Sequence, residues 1–185
     1  MILEERELSA PFIEFCRRYE APDVLELGSK QSIPGRSTMH KQWFPNAKTF
    51  IGTDFDEGGD VDFLADIHDL SIYLNAQDTF PKKYDIILAP SVFEHFYNPF
   101  MAMEEIAKAL KPGGVVFVST HNCYLLHGYP NDYWRFTTEG LKELAVQAGL
   151  EVIDAAYTFP CKIVSERQGE QAPAFLLVNL YAQKK

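Results

Sequence analysis

The sequence predicts an α/β protein with a doubly wound, mostly parallel sheet, and three observations carry this. Short apolar runs of strand length recur at residues 24–27, 49–53, 84–89 and 115–119. They read as strands buried on both faces rather than as alternating half-exposed ones. Segments with helix caps and stops lie between several of them. The last two strand-type runs, from Glu151 and from Phe175, have no helix between them, which predicts an antiparallel edge.

The central stretch is Val24-Leu25-Glu26-Leu27-Gly28-Ser29, a strand that ends in a glycine able to turn sharply. Ligands of open α/β sheets lie beyond the carboxyl ends of the strands, so Glu26 is expected to hang over that crevice. Ahead of it, residues 1–22 read as an N-terminal helical segment. Ser9 is its cap, Pro11 lies in the first turn, Phe12, Cys16 and Tyr19 share one face, and Pro22 ends it. A loop from Ser29 to Arg36 leads to a short helix closing near Phe44.

The second strand, 49–53, is followed by Asp54, and a short third strand, 61–64, by Asp66. The fourth, 84–89, runs into a helical turn over 91–97. Asn98 caps and Pro99 opens a helix whose expected buried stripe is Phe100, Met103, Ala107 and Leu110, with Lys111-Pro112-Gly113-Gly114 as its stop. The fifth strand, 115–119, leads into an aromatic loop, 120–136. Thr137 caps the next helix, Glu139 sits in its positive first turn, and Gly149 stops it. Residues 165–173 read as a polar surface loop between the final strands.

Composition narrows the function. The 185 residues carry a net charge of −9 with no basic block, which argues against electrostatic binding to nucleic acid or anionic lipid. Cys16, Cys123 and Cys161 form no CxxC pair and no metal-ligand spacing, so no metal is expected and a reducing cytoplasm is. The N-terminal residues are acidic where a leader is basic, and no stretch approaches the ~20 apolar residues of a membrane span. The expectation is one cytoplasmic domain over residues 1–185, with no appended domain to hold a polymer.

Three carboxylates, Glu26, Asp54 and Asp66, follow three successive strands. Set along one sheet edge they can accept hydrogen bonds from an amine, a ribose diol and an exocyclic base amine, the groups of a nucleoside joined to an amino acid. Asp54 also follows the Gly28 turn at a spacing near the ~20 residues of a dinucleotide-binding acid. A nicotinamide-dependent oxidoreductase is disfavoured by the absence of GxGxxG.

In order and spacing, VLELGS, FIGTDFD, DFLADIHDL, YDIILAPSVFEHF, LKPGGVVFVST and YPNDYWRFT resemble the class I S-adenosylmethionine-dependent methyltransferases, in particular the small type 11 group. The resemblance runs from about Pro22 to about Ile153. It implies a Rossmann-like seven-stranded sheet with an antiparallel final strand, and S-adenosylmethionine as cofactor with S-adenosylhomocysteine as product. Glu26, Gly28 and Ser29 match the first motif, beside the methionine part. Asp54 matches the acid of the ribose hydroxyls, with Phe55 against the adenine and Asp66 and Ile67 at its edge. Ser91 matches the loop approaching the sulfonium, and Glu94 and His95 match the EH that ends this segment. The first motif departs from the family's two or three glycines, since Ser29-Lys30-Gln31-Ser32 follow Gly28.

Methyl transfer needs alignment, exclusion of water and, for an acceptor that loses a proton, a base. His121, His127, Tyr129, Asp132, Tyr133 and Trp134 lie in the loop over the same edge, expected to act as a lid. Imidazole titrates nearest neutral pH, so His121 or His127 is the candidate base. Asp132 and Arg135 are expected to pin the loop as an ion pair. The favoured function is methyl transfer to a small molecule or glycan; the alternative is a non-catalytic cofactor-binding or interaction module. The apolar last strand and aromatic loop could support a homodimer.

Overall fold

The computed structural model describes residues 9–30, 40–128, 131–164 and 171–185. Its seven strands are β1 (Asp23–Leu27), β2 (Thr49–Asp54), β3 (Phe63–Leu64), β4 (Tyr84–Pro90), β5 (Leu110–His121), β6 (Leu150–Val164) and β7 (Gln171–Lys184). They form one sheet in the order β3-β2-β1-β4-β5-β7-β6. The pairs among β3, β2, β1, β4 and β5 are parallel, and β7 runs antiparallel to both its neighbours. The antiparallel strand is therefore the last in the chain but not the edge of the sheet. β7 is inserted between β5 and β6, and β6 is the edge.

The central strands β1, β4 and β5 are mostly apolar because both faces of the sheet are covered there. Successive side chains point to opposite faces, so Leu25, Ile87, Ala89, Val116 and Val118 fill one core while Val24, Ile86, Leu88, Val115 and Phe117 fill the other. The first core is roofed by α2 (Leu70–Ala76), α3 (Pro99–Ala109) and α4 (Thr138–Gln147), the second by α1 (Ala10–Cys16) and the 3-10 turn Lys41–Trp43. Phe12 of α1 stacks on Phe117 with ring centroids 4.7 Å apart.

Caps behave as expected at α3 and α4, where Asn98 Oδ1 accepts from Met101 N and Thr137 Oγ1 from Gly140 N. Ser9 does not cap α1: its Oγ is buried with no partner among the described residues. The stripe of α3 differs at Phe100, which is 44 % exposed; Met103, Ala107 and Leu110 are buried as expected, joined by Ala102, Ile106 and Ala109. Lys111 to Gly114 lie within β5, as a bulge that falls between the Tyr84–Leu110 and Ile86–Val115 pairs. Helix α2 gave no clear sequence signal: it is only seven residues, with Ile72 and Tyr73 exposed beside the buried Leu70 and Leu74, and its opening is fixed from outside by Glu105, whose Oε2 accepts from Ser71 N at 2.8 Å. The helix expected before Phe44 is described only as the 3-10 turn, the remainder lying outside the described residues. Of the expected loop 165–173, residues 171–173 belong to β7 and the rest also lies outside them.

At the amino ends of the central strands, Lys111 Nζ sits 2.7 Å from both Asp23 Oδ2 and Asp85 Oδ2, tying β1, β4 and β5 together. Burial alone would push the Asp23 carboxyl up, but Lys111 and the Thr49 hydroxyl outweigh it and hold it below its ordinary value. Burial would lower Lys111, and the two carboxylates raise it instead. A depressed acid stabilises the fold above its unfolded value near ~3.9, and that gain fades as pH falls through the folded value. A raised lysine stabilises below ~10.4, and that gain fades as pH climbs through its folded value. Thermal melts followed by circular dichroism should show Lys111→Met lowering Tm most between about pH 5 and 9 and flattening both flanks of the Tm–pH curve. On β2, an added Cβ at Gly52 would meet the Asp60 carbonyl and lie 2.6 Å from Ser29 Oγ. Urea titration of Gly52→Ala should show a loss of about 1–3 kcal/mol.

Candidate active site

The carboxyl ends of β1, β2, β4 and β5 are bound to one another by backbone. Gly28, at φ +71°, and Ser29 both donate their amides to the Thr53 carbonyl, at 2.9 and 3.1 Å. A Cβ on Gly28 would lie 2.9 Å from Val92 Cγ2, so this turn needs glycine for its conformation and for the approach of the loop after β4. Ser91, at φ 49°, donates its amide to the Ser119 carbonyl at 2.6 Å and joins the β4 and β5 ends in the same way.

The structure corrects the expected position of Glu26. Its side chain is 1 % exposed, it lies one residue inside the end of β1, and it is engaged by His40. Oε2 accepts from His40 N at 3.0 Å, and Oε1 faces His40 Nδ1 at 2.8 Å. A buried carboxylate needs such partners, and the effect is to fasten the far end of the loop that begins at Gly28. Ser29 is likewise fully buried, its Oγ against Gly52 and without a hydrogen-bond partner among the described residues.

Asp54 and Asp66 stand at the ends of β2 and β3 as expected. Asp54 accepts from Lys30 N at 3.0 Å and from Asp56 N at 3.2 Å. Beside it the Phe55 ring is 65 % exposed. Asp66 Oδ1 accepts from His68 N and from the His68 ring, at 2.9 and 2.7 Å, opening a 3-10 turn in which Ile67 is buried. Both acids keep lone pairs for further donors, and an aromatic face stands in solvent between them. These residues fit a nucleoside ligand.

The loop after β5 folds back onto the turn after β4. Tyr133 N and Trp134 N both donate to the Glu94 carbonyl, the Trp134 indole donates to Phe96 O, and His95 Nδ1 donates to Asn131 O at 2.6 Å. Arg135 grips Asp132 through two contacts of 2.5 and 2.7 Å. The guanidinium holds the Asp132 carboxyl far below the usual carboxylate range, as the sequence reading of an ion pair requires. Tyr129 lies outside the described residues.

Under this loop Glu94, His121 and His127 converge. Glu94 is fully buried; its Oε2 accepts from Thr120 Oγ1 at 2.6 Å, and its Oε1 lies 2.8 Å from His121 Nδ1 and 4.0 Å from His127 Nε2. Burial pushes the Glu94 carboxyl up, but His121 and Thr120 outweigh that and bring it below its ordinary value. Tyr124 stacks on His121 at 4.3 Å. Sequence reasoning had both histidines as candidate bases and Glu94 only through the EH of the resemblance, not as the carboxylate that joins them. The available signal was an acid set between Phe93 and Phe96, where a side chain has to be buried.

A family model described as a methyltransferase domain matches residues 5–155. The ubiquinone biosynthesis O-methyltransferase of Hydrogenovibrio crunogenus is 35 % identical over 123 residues, which cover 60 % of this chain and 48 % of that protein. The chain thus matches about half the length of that relative. Among solved structures, an S-adenosylmethionine-dependent methyltransferase from Archaeoglobus fulgidus superposes with a TM-score of 0.63 at 17 % identity, covering 97 % of this chain and 94 % of that one. The 1,6-didemethyltoxoflavin-N1-methyltransferase of Burkholderia thailandensis, solved with its substrate and S-adenosylhomocysteine, gives 0.62 at 16 % identity over 97 % and 77 % of the two chains. At these identities the superpositions speak for the fold, and the family match over residues 5–155 speaks for membership of the family. With its strand order, its Gly28 turn and the acids at its strand ends, the chain belongs to the methyltransferase domain family, the class I S-adenosylmethionine-dependent methyltransferases.

Proposed function

We propose that this protein transfers the methyl group of S-adenosylmethionine to an oxygen of a small-molecule or glycan acceptor, as one domain with residues 120–136 as its lid. The observation that carries the reading is the pairing, along one sheet edge, of acids suited to a nucleoside with a buried carboxylate–histidine cluster beside them. The curated relative, an O-methyltransferase by name, supports oxygen as the acceptor atom. The net charge of −9 supports a partner other than nucleic acid. Three unpaired cysteines suit the cytoplasm. Among the described residues no helix is long and apolar enough to cross a membrane. The aromatic loop remains the proposed surface of a homodimer, whereas Val178, Leu180 and Ala182 of β7 are buried in the protein's own core.

Bound S-adenosylmethionine supplies an electrophilic methyl on a sulfonium, open to in-line attack. Asp54 accepts from the ribose hydroxyls, Phe55 lies along the adenine, and Asp66 with Ile67 meets its edge. Gly28, Ser29 and Ser91 shape the backbone around the methionine part, because their amides are already committed to Thr53 and Ser119. Glu26 acts through His40, holding the loop rather than touching the ligand. His95 fixes the lid to the turn after β4 through Asn131. His121, or His127 above it, takes the acceptor's proton, with Glu94 stabilising the imidazolium that results. Trp134 and Tyr133, held over Glu94, exclude water.

In calorimetric titration with S-adenosylhomocysteine, Asp54→Ala should weaken binding about 10- to 100-fold, with an unchanged circular dichroism spectrum. His121→Ala should retain that affinity and lower transfer of labelled methyl to a panel of phenolic and sugar acceptors by about 100- to 10,000-fold.

A further inference from the structure

We propose that Glu94, His121 and His127 form a binding site for a divalent transition-metal ion of the zinc class. Each offers one ligand atom, and these atoms all lie within 4.8 Å of one another. Donors around a tetrahedral ion at ~2.1 Å stand about 3.4 Å apart. The 2.8 Å from Glu94 Oε1 to His121 Nδ1 and the 4.0 Å to His127 Nε2 bracket that spacing.

Two of the donor atoms face chiefly each other among the described residues. Glu94 Oε1 and His121 Nδ1 are both buried, and neither has a well-aligned hydrogen-bond partner among the described residues despite their short separation. A cation between them would satisfy both, since each would present a lone pair to one point.

The surroundings orient the ligands as the outer shell of a metal centre does. Thr120 occupies the second Glu94 oxygen, which leaves Oε1 to point into the cluster. Among the described residues the Nδ1 of His127 faces two acceptors, Asp132 Oδ2 at 3.2 Å and Leu125 O at 3.3 Å, so it carries the proton and Nε2 keeps its lone pair for the ion. Asp132 is itself locked by Arg135. His95 Nδ1 is committed to Asn131, and its Nε2, although 3.8 Å from Glu94 Oε1, is not among the donor atoms that all lie within 4.8 Å of one another, so His95 is not counted as a ligand.

Two imidazoles and one carboxylate leave coordination positions open, the pattern of a reactive rather than a purely structural centre. The His127 side chain is 24 % exposed, so the cluster is reached from the lid side. Resting on the methyl-transfer reading, the open positions would take an acceptor hydroxyl and lower its pKa. His121 and His127 would then serve as ligands, with the proton lost to solvent.

The test uses the full chain, stripped with a chelator and titrated with Zn2+ by calorimetry and with Co2+ by visible absorption. S-adenosylhomocysteine binding is measured on the same samples. Expected are uptake of one ion and a Co2+ ligand-field spectrum, both abolished in Glu94→Gln and in the surface-loop variant His127→Ala, and an affinity lowered about 10- to 100-fold in Asp132→Asn. No uptake by stripped protein that still binds S-adenosylhomocysteine would overturn the metal site and leave the methyl-transfer reading standing. Uptake unchanged by His127→Ala would also overturn it, as binding elsewhere. Metal uptake without S-adenosylhomocysteine binding would uphold the site and remove the transferase reading instead.

Discussion

Burial of β1, β4 and β5 on both faces is the constraint from which the remaining architecture follows. With Leu25, Ile87 and Val116 turned to one core and Val24, Ile86 and Val115 to the other, no position along these strands can hold a free polar group. Polar chemistry is expelled to the two ends. At the amino ends it is spent on the Lys111 clamp, which holds the strands in register. At the carboxyl ends the backbone of each strand is tied to its neighbour through Thr53 and Ser119, and side chains are left to meet a ligand.

That division explains what could be read from the chain. Strand runs were legible because their uniform hydrophobicity is a consequence of two-sided cover, and Asp54 and Asp66 were legible because an acid directly after such a run has to lie at an end. The same reasoning failed for Glu26. It is one residue earlier, inside the last pair of the strand, and only a histidine fourteen positions later reveals that its charge is answered within the protein. Helix α2 escaped for a similar reason, since its start is set by Glu105, an acid from a helix further along the chain.

The cluster of Glu94, His121 and His127 was half legible. Each histidine lay in a stretch expected to cover the crevice, but their common partner comes from a different strand end. Nothing in the spacing of three residues drawn from a turn, a strand end and a loop announces that their donor atoms meet. The ion pair of Asp132 with Arg135, close in sequence, was read directly; what it orients, the inner face of His127, became visible only in three dimensions.

The placement of β7 has a consequence for how the chain assembles. β6 makes its ladder with β7 and not with β5, so when β6 emerges it has no seat in the sheet. β6 and β7 are neighbours in sequence and can pair with each other antiparallel, but the pair enters the sheet only when β7 meets β5, a contact that is non-local and slow to form. Until then the flank of β5, which carries Thr120 and His121 at its end, stays open. The fold acquires its reactive edge and its final strand in the same event.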